Sequence, residues 1–220
     1  MTRPVSLWIF LLAESLFNLG LFVFFLLYNL YLLDRGFDES FLGVLTALQT
    51  MGSVCGTLPA GWFAARYGVG AALRVTFGGG AAVYALQAWA EPRMALAALA
   101  FVGGVAAAFR TVSIAPAVAQ LSTEKNRARA FSLFFALAIG MGIAGGLLGG
   151  RLPEWLGSKQ KALWAGCAIS ALALAPALWL RFAAAEREPV VYPRTPFVRR
   201  YLAAAAVWNL FVGAFPPFFN

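Results

Sequence analysis

Six apolar runs, each as long as a lipid bilayer is thick, decide what this chain can fold into. They cover residues 5–33, 40–63, 71–90, 94–121, 130–150 and 162–182, and a seventh starts at 201 and reaches 220. A hydrocarbon core about 30 Å thick takes about 20 helical residues to cross, so each of the six can span it. In that medium every backbone N–H and C=O needs a partner within the chain, which leaves only helices or a closed barrel. Barrel strands would alternate apolar and polar residues in segments of about ten, and no such alternation occurs. The expected fold class is therefore an all-α membrane protein. Composition agrees: 61% of the 220 residues are hydrophobic and 12% are charged, against roughly a quarter charged in soluble domains. The first run is too long for a signal-peptide core and lacks a small-residue cleavage site, so it is expected to stay in the protein.

A net charge of +8 would suggest a nucleic-acid partner in a soluble chain. Here the cations sit in the connections between apolar runs, where they orient the protein in the bilayer. With the N-terminus inside, Arg3, Arg66, Arg74, Lys125, Arg127, Arg129, Arg181, Arg187, Arg194, Arg199 and Arg200 face the cytoplasm. Arg35, Arg93, Arg151, Lys159 and Lys161 lie outside, so the count is eleven to five in favour of that orientation. The expected placement is an integral, multi-pass protein of a bacterial inner membrane with a cytoplasmic N-terminus. No nucleic-acid partner, metal or cofactor is called for. Cys55 and Cys167 lack the spacing of a metal site or a disulfide framework and read as inert packing residues.

The segment AAAEREPVVYPRTPFVRR, residues 183–200, joins charges to three prolines and reads as a cytoplasmic linker. The run beyond the linker is similar to the first run. NLGLFVFFLLYN (18–29) and NLFVGAFPPFFN (209–220) agree at four of twelve positions, including Asn18 with Asn209 and Asn29 with Asn220. The organisation expected is a six-helix bundle over residues 1–182, a linker over 183–200, and the start of a seventh helix over 201–220. On this expectation the chain is one half of a two-fold protein plus the beginning of the other half.

Between the second and third runs lies GWFAARYGVGAAL, residues 61–73. It resembles the signature Gly-x-Leu-Ala-Asp-Arg-x-Gly-Arg-Lys-x-x-Leu of the major facilitator superfamily, matching it at Gly61, Ala64, Arg66, Gly68 and Leu73. Ala65 stands where that family has its Asp, and Val69 and Gly70 replace its basic pair. Glycines at 61 and 68 allow a tight turn and close helix approach. RGFDESFLGVLTALQTMGSVCGTLPAG (35–61) and PAVAQLSTEKNRARAFS (116–132) are similar to the flanking parts of the same family. In the fifth run, GMGIAGGLLGG (140–150) is similar to the family's antiporter motif at Gly145, Gly149 and Gly150, with Gly146 in place of its proline. Small residues at helical spacing also serve close backbone packing, the reading favoured here and for the glycines at 78–80 and 103–104. The resemblance implies a six-helix N-terminal bundle of the superfamily fold with a partial seventh helix.

Two charges fall deep inside the runs. Arg110 lies about 15 Å from the cytoplasmic end of the fourth run, and Glu14 about 14 Å into the first. A lone charge near the bilayer centre costs about 2.5–3.5 kcal/mol on insertion scales, so each needs a partner or a wet cavity. Opposite signs at one depth predict a pair. Gly103, Ala106, Ala107, Ser113 and Ala117 share the face of Arg110, while Glu14, Asn18, Leu21, Phe25 and Tyr28 form a stripe on the first run. The resemblance implies that the first and fourth helices line a central path, so Glu14, Arg110, Asn18, Tyr28 and, by the repeat, Asn209 are candidate substrate- or proton-path residues. Gly61, Arg66 and Gly68 form the candidate conformational motif. Arg110 does not match the family's antiporter arginine, because Ile114 occupies the position of its following glycine.

The expected function is secondary active transport of a small solute by alternating access, with a proton as coupling ion through Glu14. The expected partners are the lipid bilayer, the solute, the proton and the second half of the same protein. A non-transporting receptor or scaffold with the same fold is the alternative. A membrane-embedded enzyme is a further one, narrowed by the absence of histidine, which removes His-based acid–base and metal chemistry. No phosphate-binding loop is present to drive transport with ATP.

Overall fold

The computed structural model of the chain describes residues 3–180 and 182, together with 195–197, 200, 203, 204 and 207. Six helices succeed one another: α1 (Arg3–Asp34), α2 (Glu39–Tyr67), α3 (Val69–Trp89), α4 (Arg93–Leu121), α5 (Arg127–Leu156) and α6 (Lys159–Trp179). All six are long and apolar enough to cross a membrane, and no strand occurs among the described residues.

The helices outrun several of the apolar runs that announced them. α5 begins three residues before position 130 and ends six after 150, taking in Arg127, Arg129, Arg151 and Glu154. An apolar run marks only the part of a helix that sits in hydrocarbon. Backbone bonding continues through the headgroup layer, where charged side chains reach water. α6 falls short at its C-terminal end, stopping at Trp179 rather than 182, and α3 stops at Trp89 rather than 90. α6 also breaks at Ala173, where Pro176 offers no N–H to the carbonyl of Leu172. α3 contains one π-helical turn, Val75–Gly79. There the Thr76 hydroxyl donates to the Ala72 carbonyl at 3.1 Å, competing for a backbone acceptor, and the glycines after it add no side chain to resist wider winding.

Gly68 is the whole connection between α2 and α3, and its φ of 88° explains why the turn requires glycine. The motif residue Gly61 behaves otherwise. A methyl group at 61 would meet nothing within 4 Å, so the close approach expected there does not occur. Of the two cysteines, Cys167 is buried but Cys55 is exposed on α2, which corrects its reading as a packing residue.

α1 is the most buried helix and packs along α5 and α6; α2 packs along α4, and α3 against α4 and α6. Exchanging α1, α2 and α3 with α4, α5 and α6 turns the α1–α5 contact into α4–α2 and the α1–α6 contact into α4–α3. The α3–α6 contact maps onto itself. The bundle thus has the packing scheme of an internal three-helix repeat.

Glycine backbones make the seams. On α4, Gly104 lies against the Gln49 carbonyl and the Ser53 N–H of α2, and Gly52 of α2 lies against the Phe101 carbonyl of α4. On α5, Gly145 meets Phe22 and Leu19 of α1, and Gly149 meets Val23 and Leu26. Gly20 of α1 faces Gly166 and Ser170 of α6. The close-packing reading therefore fits Gly145, Gly149 and Gly104. It does not fit Gly146 or Gly150, which face open space, because they point away from the seam.

Residues 187–220 form a second compact unit. Its described residues at 196, 197, 200, 203, 204 and 207 are helical, with Phe197 and Val207 exposed. Most of the expected linker and most of the expected seventh helix, Asn209 included, lie outside the described residues.

Candidate functional site: an arginine–carboxylate cluster between α1 and α4

Glu14 and Asn18 sit one turn apart on α1 and point the same way, as residues four apart on a helix must. Arg110 reaches them from α4. Its Nη2 donates to Glu14 Oε2 at 2.8 Å and to Asn18 Oδ1 at 2.9 Å, and its Nε to Glu14 Oε2 at 3.3 Å. Asn18 Nδ2 donates in turn to the Glu14 backbone carbonyl at 2.9 Å and to Oε2 at 3.4 Å. Asn18 therefore gives its oxygen to the guanidinium and its nitrogen to the carboxylate, which assigns its amide orientation and ties the pair into one network.

The network is lopsided. Three donors converge on Oε2, while the buried Oε1 has no hydrogen-bond partner among the described residues. Glu14 is 2% exposed and Arg110 is 21% exposed, so the carboxylate is sealed in and the guanidinium is partly open. Arg110 Nη1 makes no hydrogen bond among the described residues. The site thus presents one free face of a guanidinium and one unused carboxylate oxygen, both at mid-helix depth.

Phe17 completes the cluster. Its ring lies under the guanidinium with Arg110 Cζ 5.6 Å from the ring centroid, within cation–π range. The same ring meets Phe77 at 5.3 Å and Tyr84 at 6.4 Å, both on α3, and Gly80 makes room for it: a methyl group at 80 would lie 3.1 Å from Phe17 Cζ. Phe77 belongs to the π-helical turn of α3, so the aromatic support of Arg110 rests on the one irregular turn of that helix. Phe17 is absent from the stripe read along α1, although its place three residues after Glu14 carries the signal. Nothing in the sequence could bring Phe77 and Tyr84 to it, because that contact is made across helices.

The other candidates fall elsewhere. Tyr28 lies on α1 about 21 Å beyond Glu14 by helical rise; it stacks on Phe24 at 4.8 Å, and its buried hydroxyl has no partner among the described residues. Phe25 of the same stripe is exposed, so the stripe does not form a single wall. On α4, Gly103 faces Val83 and Gln87 of α3 rather than leaving space around Arg110. Ser113 is fully buried with an unpartnered hydroxyl one turn beyond Arg110. Arg66 is exposed at the end of α2, its guanidinium 5.6 Å from the Trp62 ring centroid and 5.8 Å from that of Tyr67. Among the described residues no group of three or more His, Cys, Asp or Glu is placed to hold a metal ion.

No curated protein matches the chain. Among solved structures, a crystal structure of a mutant of the nucleoside transporter NupG is similar with a TM-score of 0.61 at 15% sequence identity. That likeness covers 93% of this chain and 50% of the neighbour, so the chain spans about half the length of the transporter whose fold it shares. The family profile described as Major Facilitator Superfamily matches residues 10–219, nearly the full length, and this membrane-spanning helical chain belongs to the Major Facilitator Superfamily.

Proposed function

We propose that the chain supplies one wall of a secondary transporter that moves a small solute by alternating access, with the Glu14–Asn18–Arg110 cluster on the solute or proton path. Family membership supports membrane transport. One observation carries the finer reading: a charged network is retained between two membrane-spanning helices that otherwise touch only lightly, with an unused guanidinium face and an unused carboxylate oxygen. A pair kept only to pin helices together gains from saturating its hydrogen bonds, whereas this one leaves both partners incomplete. Glu14 is the group assigned to carry a coupling proton.

In this reading residues 183–200 link the bundle to a second half that residues 201–220 begin, and the N-terminus faces the cytoplasm of a bacterial inner membrane. Gly61, Arg66 and Gly68 would hold the α2–α3 turn through the conformational cycle, with Gly68 the member whose backbone geometry demands its identity.

Uptake into vesicles holding the full-length protein, across a solute library with and without a proton gradient, tests the proposal. Saturable uptake of at least one solute is expected, with loss in Glu14→Gln and in Arg110→Ala. Replacing both partners by apolar residues is expected to restore folded protein without restoring transport. Full transport by that double variant would reduce the cluster to a structural cross-link.

A further inference from the structure

The two ends of the bundle each carry five cations with described side chains and treat them differently. At the end formed by the α1–α2, α3–α4 and α5–α6 connections, Arg35, Arg93, Arg151, Lys159 and Lys161 are matched by Asp34, Asp38, Glu39, Glu91 and Glu154. Three pairs form there: Arg35 with Glu91 at 3.9 Å, Arg93 with Asp38 at 3.5 Å and Lys159 with Asp34 at 2.6 Å. Arg35 also donates to the Ala90 carbonyl at 2.9 Å, capping α3. At the opposite end, the one carboxylate among the described residues is Glu124, against Arg66, Arg74, Lys125, Arg127 and Arg129, and none of these five makes an ion pair among the described residues.

Local structure makes the imbalance sharper. Arg127 and Arg129 occupy the first turn of α5, where no acidic residue is present to offset the positive end of the helix dipole and no side chain caps the helix. Like charges on a like-signed dipole destabilise a helix start unless an anion is nearby. Arg66 is held on exposed Trp62 and Tyr67, whose rings meet edge to face at 6.1 Å. Trp and Tyr on the outside of a membrane helix settle at headgroup depth. There they hold the guanidinium fork level with the phosphates, and that fork pairs with phosphate oxygens in two-point contact. By contrast, Arg93 at the other end also lies over aromatic rings, but Asp38 already takes its charge.

We propose that the end of the bundle bearing Arg66, Arg74, Lys125, Arg127 and Arg129 is a docking surface for the phosphate headgroups of anionic lipids. The lipid supplies the negative charge that this end lacks and the other end builds in. The surface is independent of any transported solute.

The test is the association of spin-labelled phosphatidylglycerol and spin-labelled phosphatidylcholine with the chain reconstituted in mixed vesicles of the two lipids. Phosphatidylglycerol is expected to be preferred, with the preference falling about fivefold for each engaged cation removed, the usual contribution of a basic residue near an anionic membrane. The series Arg127→Gln, then with Arg129→Gln, then with Arg66→Gln should lower it stepwise. Arg151→Gln with Lys161→Gln, at the balanced end, should leave it unchanged. Circular dichroism on each variant verifies that the helices persist; should the triple variant lose helicity, the single exchange Arg66→Gln carries the test. Equal association of the two lipids, or the same loss from the balanced-end variant, overturns the proposal. Displacement of the labelled lipid by inorganic phosphate but not by unlabelled phosphatidylglycerol would assign the surface to a soluble anion and also overturn it.

Discussion

Along α2, helix α4 is packed backbone against backbone, with Gly104 on the Gln49 carbonyl and Gly52 on the Phe101 carbonyl. Toward α1 it makes few contacts and sends one long side chain across to Glu14 and Asn18. The first interface leaves no room for adjustment, since its closest atoms are main chain on both sides. The second is a tether of side chains whose ends can rotate or exchange partners without unpacking a helix. α4 is therefore fixed along α2 and only tethered, through side chains, toward α1. In lipid there is no hydrophobic drive between apolar helices, so close van der Waals approach is what secures the fixed flank.

Five variants would break or sharpen that contrast. Gly104→Val places a branched side chain on the Gln49 carbonyl, which cannot move without moving α2. Overpacking usually costs about 1–3 kcal/mol, and with backbone on both sides the effect should exceed that range. Size-exclusion chromatography in detergent should find little monodisperse protein; recovery at the parent level would show that the seam yields.

On the tethered flank, Arg110→Ala strands the buried Glu14 carboxylate. Breaking one side of a buried pair costs about 3–5 kcal/mol. The loss should appear as a lower melting temperature in detergent. An unchanged melting temperature would mean that water already serves the carboxylate.

Combining Glu14→Leu with Arg110→Leu removes both charges and should bring stability back to within about 1 kcal/mol of the parent. A further drop would show that the network holds α1 and α4 together rather than tethering them loosely.

The smallest effect belongs to Gly146→Ala on α5, where nothing lies within 4 Å. Its neighbour Gly145 sits against Phe22 and Leu19, so Gly145→Ala should destabilise. Gly146→Ala should instead stabilise by up to about 1 kcal/mol, the helix preference for alanine over glycine. A matched pair of thermal melts separates them, and equal shifts would deny that α5 presents one glycine face to α1.

Much of this architecture is legible in the residue order. The apolar runs set the number of spanning helices, because hydrocarbon allows no other backbone solution for segments of that length. The depth of Glu14 and Arg110 along their runs predicts the pair, because an isolated charge has no comfortable place there. Helical spacing puts Asn18 beside Glu14, and the same spacing points to Phe17. Tertiary structure decided the rest. Whether Gly145 or Gly146 faces α1 depends on how α5 is rotated about its axis, and a glycine-rich run carries no side-chain pattern to reveal rotation. Which carboxylate oxygen is used, and that Phe77 on a π-helical turn supports Phe17, depends on where α3 sits against α1. The two ends of the bundle show the same division. Counting cations tells the ends apart by number, whereas the pairing of Arg35, Arg93 and Lys159 arises from which connections the packed helices bring within reach of one another; among the described residues Arg66, Arg127 and Arg129 have no such pair.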